Sequence, residues 1–202
     1  MPASGNMAPE WLVVNGQYSD QRFIDMMVPH HRMAVQMAQL ALQKGQHPEI
    51  KRLATSIISS QQQEIQALKN LKKRLYGTSD TPTMMNAVDL ANTGMLMPDQ
   101  LTQQNPFDQA FIDSMIPHHA SAIGMASVAL MRSTNPNIKR IARAIVDAQS
   151  QEIGKMIQWR KLWYPGSTGM AASMVEDRST VDVVALPKAY VHCDKALLTL
   201  AS

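Results

Sequence analysis

Hydrophobic positions recur at helical spacing in four long segments of the chain. In residues 48–76 they follow a period of about 3.6 residues, which is typical of an amphipathic helix, at Ile50, Leu53, Ala54, Ile57, Ile65, Leu68 and Leu71. Capping and turn residues predict four long helices: near Asp20 to near Gly45, His47-Pro48 to Tyr76, Asn105-Pro106 to near Ser133, and Asn135-Pro136 to Tyr164. A short helix is also expected around residues 83–92.

The four segments are two copies of one unit. Residues 23–76 match residues 111–164 at an offset of 88 without a gap, with about 24 identities over 54 positions. Each copy is a pair of helices joined by a tight turn, and neither hairpin can bury its apolar stripe alone. The sequence therefore predicts an all-α fold, a four-helix bundle built from two tandem helical hairpins.

The repeat divides the chain into five parts. They are an N-terminal segment (1–18), the first hairpin (19–77), a methionine-rich linker (78–104), the second hairpin (105–165) and a C-terminal tail (166–202). The two hairpins are expected to share one bundle. The tail has no clear hydrophobic period. It is therefore expected to be either a loosely attached, flexible extension or an artificial sequence that is not part of the natural protein.

Composition excludes several classes of function. Cys193 is the single cysteine, so an intramolecular disulfide and zinc-finger thiolate sites are ruled out. No apolar run approaches the ~20 residues that span a bilayer, so membrane insertion is not expected. The basic cluster at 69–74 is interpreted as a solvated helix face, and no nucleic-acid partner is predicted. Since no leader precedes the first helix, either the chain is cytosolic or a leader has been removed.

Methionine is unusually frequent, with 16 residues in a chain of 202. Flexible thioethers either fill gaps in a core or act as the soft neutral ligands that suit Cu(I). Position decides between these uses. Met26, Met33 and Met37 share an arc of about 60° on the first helix with His30. This arc flanks the apolar face and is expected to be partly open, which suits ion capture and release. The histidine in register, the proline beside it and the retention of His118 and Met125 in the second copy favour a soft-metal site over simple packing.

The second copy keeps only part of this arc. At the equivalent positions stand Ser114, His118, Ser121 and Met125, so two sulfur atoms are lost. The first copy is therefore expected to bind a metal ion more strongly. Pro29 and Pro117 lie inside their helices, beside the histidines, and are expected to bend them.

A second set of polar residues falls on the apolar faces. His31 and His119 point toward the centre of the bundle, and we expect Glu64 with Gln61, and Glu152 with Gln149, to reach them. This network is either purely structural or a device that sets the imidazole tautomer for a metal ion. Two glutamates and two histidines also resemble a reduced di-iron site, which makes a metal-dependent redox enzyme the alternative function, although the Glu-x-x-His spacing of such sites is absent. His47 and His192 are expected to be solvent-exposed.

Two motifs carry a resemblance to a known family. Met27-Val28-Pro29-His30-His31 and Met115-Ile116-Pro117-His118-His119 are each followed by a methionine six residues later and then by Gln-x-Gln-Glu-Ile. Over residues 20–165 the chain resembles a bacterial, ferritin-like four-helix family of unknown function with the signature M-I-P-H-H and a later M-A. The resemblance implies binding of Cu(I) and Ag(I), a periplasmic or extracellular location, and a role in copper resistance.

The resemblance also implies a set of ligands. Carried onto this sequence, they are His30, His31, Met37, His118, His119 and Met125, with Met26, Met27, Met33 and Met115 beside them. Ser114 and Ser121 depart from the family pattern. The predicted function is a non-enzymatic copper buffer or metallochaperone whose partners are metal ions and a copper-receiving protein. A helical interaction module that uses its methionines as an adaptable surface remains a third class.

Overall fold

The computed structural model describes residues 12–14, 16–93 and 96–166. This part of the chain contains two short strands and six helices: β1 (Val13–Val14), β2 (Gln17–Tyr18), α1 (Asp20–Lys44), α2 (Pro48–Tyr76), α3 (Ala87–Asn92), α4 (Pro98–Thr102), α5 (Phe107–Arg132) and α6 (Pro136–Trp163). The strands form an antiparallel pair in which Val13 lies opposite Tyr18. The predicted all-α class and the bundle of two tandem hairpins are confirmed.

Local chemistry explains where the long helices begin. The Ser19 hydroxyl accepts a hydrogen bond from the Arg22 amide at the start of α1, and the Asn135 side chain caps α6 in the same way. Pro48 and Pro136 occupy the first position of their helices, where a missing N–H costs nothing. α1 packs along α2, α5 packs along α6, and the two hairpins meet mainly where α1 contacts α5.

Two predicted boundaries differ from the structure. Helix α5 begins at Phe107 rather than at Pro106, because Pro106 has an extended backbone with ψ of 135° and serves as the residue before the helix. The linker contains two short helices, α3 and α4, where one was expected around 83–92. Helix α4 is held by a local cap in which the Gln100 side chain accepts from the Met97 amide at 3.0 Å. Five residues are too few for apolar periodicity to reveal such a helix.

The bundle core is divided into two hydrophobic clusters. The first joins the start of α1 and the end of α2 to the end of α5 and the start of α6, and the second joins the opposite ends. Met27 lies in the first cluster and its repeat counterpart Met115 in the second, whereas Met125 lies in the first cluster and its counterpart Met37 in the second. The two clusters are therefore related by the internal repeat.

A polar layer separates the two clusters. On α1 the clusters stop at Val28 and resume at Ala34, and on α5 they stop at Met115 and resume at Ala122. The intervening turns carry the two Pro-His-His motifs. The repeat therefore brings both motifs to the middle of the bundle.

Equivalent ion pairs close each hairpin beside this layer. Asp25 on α1 pairs with Lys72 on α2, and Asp113 on α5 pairs with Arg160 on α6, with nitrogen–oxygen distances of 2.5 and 2.6 Å. These acidic residues precede Pro29 and Pro117 by four positions, where a helical proline leaves a carbonyl without its usual donor. Both helices nevertheless continue through their prolines.

Candidate metal centre

Four histidines occupy the polar layer, and none of them reaches solvent. His30, His31, His118 and His119 each have a relative exposure of 0 %. His30 and His118 meet across the contact between α1 and α5, with ring centroids 3.7 Å apart and ring planes inclined by 27°. His31 and His119 lie farther out, each 6.0 Å from the neighbouring histidine of its own motif. The two motifs thus form one continuous group of imidazoles.

Hydrogen bonds determine the tautomers of the central pair. The Ser121 hydroxyl donates its single proton to the His118 carbonyl at 2.7 Å. Its oxygen must therefore accept from Nε2–H of His30, which lies 2.8 Å away. Nε2–H of His118 donates to the His30 carbonyl at 3.2 Å. Both rings consequently carry their proton on Nε2 and leave Nδ1 as a lone-pair donor.

The outer histidines are held by glutamates, as predicted. Nε2 of His119 forms a hydrogen bond of 2.7 Å with Oε2 of Glu152. Nε2 of His31 lies at the same distance from Oε2 of Glu64 but without hydrogen-bond geometry. The expectation that glutamines join these contacts is wrong. The side-chain amides of Gln61 and Gln149 are buried without a hydrogen-bond partner in the described part of the chain. A neutral imidazole has one N–H, and in each hairpin a glutamate oxygen already lies 2.7 Å from Nε2 of the ring.

The second ring nitrogen is free in all four histidines. Within residues 12–14, 16–93 and 96–166, Nδ1 of His30, His31, His118 and His119 has no hydrogen-bond partner. Buried polar atoms without partners are costly and rare in folded proteins. An imidazole that donates one N–H to a carboxylate or carbonyl and presents the other nitrogen is the usual arrangement of a metal ligand. The residues present therefore fit a bound metal ion.

Electrostatics keep the central rings neutral. Burial lowers the pKa of His30 well below its ordinary value of 6.5, and the nearby His118 lowers it further. The pKa of His118 is lowered in the same way, by burial and then by His119. A metal ion requires the unprotonated ring, so no proton has to be displaced from these two histidines near neutral pH.

The candidate methionines are also buried, which contradicts the expectation of a partly open arc. Met26 and Met33 are 7 % and 9 % exposed, and Met37, Met115 and Met125 are fully buried. Two parts of the chain lie against this arc: α5, whose His118 stacks on His30, and the linker, whose Met84 and Met85 line a cleft together with Met26. Met26 and Met125 lie in the first cluster, and Met37 and Met115 lie in the second. Thioethers therefore flank the histidine layer from both sides.

A metal ion in this layer would need sulfur as well as nitrogen. No group of three or more His, Cys, Asp or Glu side chains is arranged to hold one ion in the part of the chain that the structure describes. The sulfur donors nearest in sequence to the histidines are the methionines within two turns on the same helices. Imidazole nitrogen with thioether sulfur is a donor set suited to Cu(I).

The other candidate residues lie elsewhere. His47 is partly exposed, and its ring contacts Asp108 at 2.7 Å and stacks on Trp163 at 3.8 Å, so it helps to join the hairpins. In the linker, Met84 is exposed and Met85 is buried. Met95, His192 and Cys193 lie outside the described residues.

Sequence patterns did not reveal the role of Ser121 or the stacking of His30 on His118. Ser121 stands where the first copy has Met33, so comparison of the two copies indicates a lost sulfur but not a hydrogen bond made by the new hydroxyl. The only available signal was a polar residue on a buried helix face. The stacking depends on how the hairpins pack, which no single helix encodes.

The described helices include none with the length and hydropathy needed to cross a bilayer.

Solved structures of similar proteins share this fold. The chain is 37 % identical to CopM in its Cu(I)-bound form, with a TM-score of 0.64, over 73 % of this chain and 99 % of that one. The Cu(II)-bound form of CopM matches over the same shares with 38 % identity and a TM-score of 0.68. A DUF305 fragment from Deinococcus radiodurans is 25 % identical, with a TM-score of 0.62, over 69 % of this chain and 93 % of the fragment.

Sequence comparison gives the family. The uncharacterized protein L153 of Acanthamoeba polyphaga mimivirus is 40 % identical over 52 residues, which are 26 % of this chain. The match spans about a third of that relative, 34 % of its length. Residues 20–160 and 108–190 match the family described as "Domain of unknown function (DUF305)". Because the match includes both Pro-His-His motifs and most of the chain, this protein belongs to the DUF305 family.

Proposed function

We propose that this chain binds Cu(I), and also Ag(I), as cargo. The observation that carries the proposal is the set of four buried imidazoles: a protein oxygen lies 2.7 to 3.2 Å from each Nε2, and within the described residues no Nδ1 has a hydrogen-bond partner. Neutral nitrogen and sulfur donors in a buried layer favour a soft monovalent ion over a hard divalent one. The similarity to CopM, whose structures include Cu(I)-bound, Cu(II)-bound and Ag-bound forms, supports the same assignment.

The donors divide into nitrogen and sulfur ligands. Nδ1 of the four layer histidines supplies the nitrogen, and the buried thioethers on α1 and α5 supply the sulfur, at Met26, Met33, Met37, Met115 and Met125. Copy one has the larger share of sulfur, because Ser114 and Ser121 replace two methionines in copy two. We therefore expect the tighter binding on the α1 side.

The proposed role is storage or delivery of copper rather than catalysis. Catalytic metal sites keep a coordination position open for substrate, whereas all four histidines here are withdrawn from solvent. A buffer or metallochaperone that contributes to copper resistance needs only capture and release, the latter to a copper-receiving protein. The family resemblance favours a periplasmic or extracellular location, which fractionation of the native host would test.

A metal-dependent redox enzyme is the second candidate. The His31–Glu64 and His119–Glu152 contacts are the observation that favours it, since histidine and glutamate are ligands of di-iron centres. Each hairpin contributes one such pair. Iron-dependent oxygen consumption by the purified chain would support this candidate.

An anaerobic titration tests the proposal. The full chain competes for Cu(I) against a strong chromogenic chelator, and Zn(II) and Fe(II) are titrated in parallel. We expect Cu(I) to bind far more tightly than either divalent ion. Tighter binding of Fe(II), with oxygen uptake, would favour the redox enzyme. A chain that binds none of the three ions would favour the interaction module.

A further inference from the structure

A cleft of about 390 Å³ lies beside the first turns of α1. Three methionines line it: Met26 from α1, and Met84 and Met85 from the linker. Met84 is 66 % exposed, whereas Met85 and Met26 are 9 % and 7 % exposed. The cleft therefore presents thioethers at its solvent side and in its interior.

The linker wall of the cleft is anchored to the bundle. The Arg32 guanidinium donates to the Pro82 carbonyl at 2.8 Å and to the Thr81 hydroxyl at 3.4 Å. The buried Lys72 ammonium, which also pairs with Asp25, donates to the Asp80 carbonyl. Two cationic side chains from α1 and α2 thus hold the segment just before Met84 and Met85. The sulfur atoms of Met84 and Met85 therefore follow directly after a segment of the linker that is fixed to the bundle.

The chemistry of the cleft suits a soft cation. Its charged lining consists of one guanidinium, Arg22, and one carboxylate, Asp25, which already pairs with Lys72, so the lining has no excess of carboxylates to attract a hard cation. Thioethers remain unprotonated near neutral pH and bind hard ions such as Mg²⁺ and Ca²⁺ poorly. Any preference of the cleft for an ion would therefore come from its sulfur atoms. Three thioether ligands would match the low coordination numbers of Cu(I) and Ag(I).

The cleft also adjoins the histidine layer. Met26 precedes His30 by one helical turn, a rise of about 6 Å along the axis, and Pro29, next to His30, lines the cleft as well. Met26 therefore lines the cleft and also lies one helical turn from His30 in the histidine layer. An ion bound to its sulfur would need to move about one turn of helix to meet the first imidazole.

We infer that this cleft is a capture site for Cu(I) or Ag(I), in which Met84 and Met85 take the ion from solvent and Met26 passes it toward His30. The inference rests on the proposed function, because it supplies the entry to that same buried layer. Transfer requires only exchange of one neutral sulfur ligand for another, followed by imidazole nitrogen. It predicts at least one ion position outside the histidine layer.

Methionine methyl NMR with Ag(I) as the probe tests the inference. The full chain is labelled with ¹³C at the methionine methyl groups, and each resonance is assigned by a leucine substitution. We expect the methyl signals of Met84 and Met85 to shift on addition of Ag(I). The signal of Met131, which is 70 % exposed on α5 and lies outside the cleft lining, should stay in place.

The outcomes separate this inference from the proposed function. If the buried methionines shift while Met84 and Met85 do not, the capture site is wrong and the proposed function stands. If no methionine shifts, both fail. Replacing Met84 and Met85 together with leucine should remove one Ag(I) per chain and slow uptake from a chelator. Met131→Leu, the matched exposed control, should change neither the number of Ag(I) ions bound nor the rate of uptake. If the double variant also keeps both quantities unchanged, the capture site is wrong.

Discussion

The imidazole of His30 stacks on the imidazole of His118, with ring centroids 3.7 Å apart. Each residue binds the backbone of the other, His118 directly through its Nε2–H and His30 through the Ser121 hydroxyl. The two hairpins are therefore joined at their centre by neutral rings rather than by hydrophobic packing. In the part of the chain that the structure describes, this layer leaves five imidazole nitrogens without a hydrogen-bond partner: Nδ1 of all four histidines and Nε2 of His31. Buried polar atoms of this kind lower stability, and metal binding is the function that would compensate for this cost.

Ser121→Ala should weaken metal binding without unfolding the chain. The substitution removes the acceptor for Nε2–H of His30, so the ring either keeps an unsatisfied buried donor or moves its proton to Nδ1. The first outcome costs about 1–3 kcal/mol of stability. The second blocks the nitrogen that the metal would use, and changes of this kind lower metal affinity by about 10–100-fold. Chemical denaturation and Cu(I) competition measure the two effects.

The matched control is Ser127→Ala on the same helix, a half-buried serine outside the layer. It should leave both quantities nearly unchanged. Equal Cu(I) affinities of the two variants would remove Ser121 from the site.

Substitutions of Glu152 separate a structural role from tautomer control. In Glu152→Gln the amide oxygen can still accept from Nε2–H of His119, so most of the Cu(I) affinity should remain. In Glu152→Ala the acceptor is lost, and we expect affinity to fall by about 10–100-fold. Competition titrations of both variants provide the comparison.

If Glu152→Ala loses stability but keeps its Cu(I) affinity, the glutamate supports the fold alone. The same pair of substitutions at Glu64 should have smaller effects, since Glu64 lies 2.7 Å from Nε2 of His31 without hydrogen-bond geometry.

Replacing Met33 and Met37 with leucine should preserve the fold and weaken the first site. Leucine nearly conserves the volume of methionine, so each change should cost less than about 1.5 kcal/mol. The thioether donors are lost, and Cu(I) affinity should fall. Met156→Leu is the buried control, because Met156 packs in the same cluster as Met37 but lies on α6, away from the motifs. Equal Cu(I) binding by the double variant and the control would indicate that Met33 and Met37 serve packing only.

Stability of the metal-free chain should decrease as the pH falls below about 6.5. Burial lowers the pKa of His30 and His118 in the folded state, whereas in the unfolded chain both titrate near 6.5. Below that pH, and above the folded-state pKa, the unfolded state binds more protons, so acid favours unfolding. Urea denaturation between pH 7.5 and 5 measures the effect.

His118→Gln removes one of these titrating groups and keeps an amide donor for the His30 carbonyl. Its stability should therefore decrease less steeply over the same pH range. A slope equal to that of the unmodified chain would mean that the buried histidine does not cause the pH dependence.

Much of the fold follows from repetition and helical period. The offset of 88 residues and the 3.6-residue pattern predicted the two hairpins, and a buried glutamate opposite an apolar-face histidine predicted the His31–Glu64 and His119–Glu152 contacts. These contacts could be predicted because both partners lie within one hairpin, whose geometry is set by a short turn. Their positions are local properties of the chain.

Relations between the hairpins could not be predicted in this way. The burial of Met33, the stacking of His30 on His118 and the bridging hydroxyl of Ser121 all depend on which faces of α1 and α5 meet. A helical wheel shows the direction of a side chain but not what covers it. The same limit explains why the methionine arc was expected to be partly open.

X-ray absorption at the copper edge of the Cu(I)-loaded full chain identifies the atoms that bind the ion. We expect both imidazole nitrogen and thioether sulfur in the coordination sphere, with the nitrogen contribution reduced when His30 and His118 are replaced by glutamine. A spectrum with neither donor, or one that the double histidine substitution leaves unchanged, would contradict Cu(I) binding in the histidine layer.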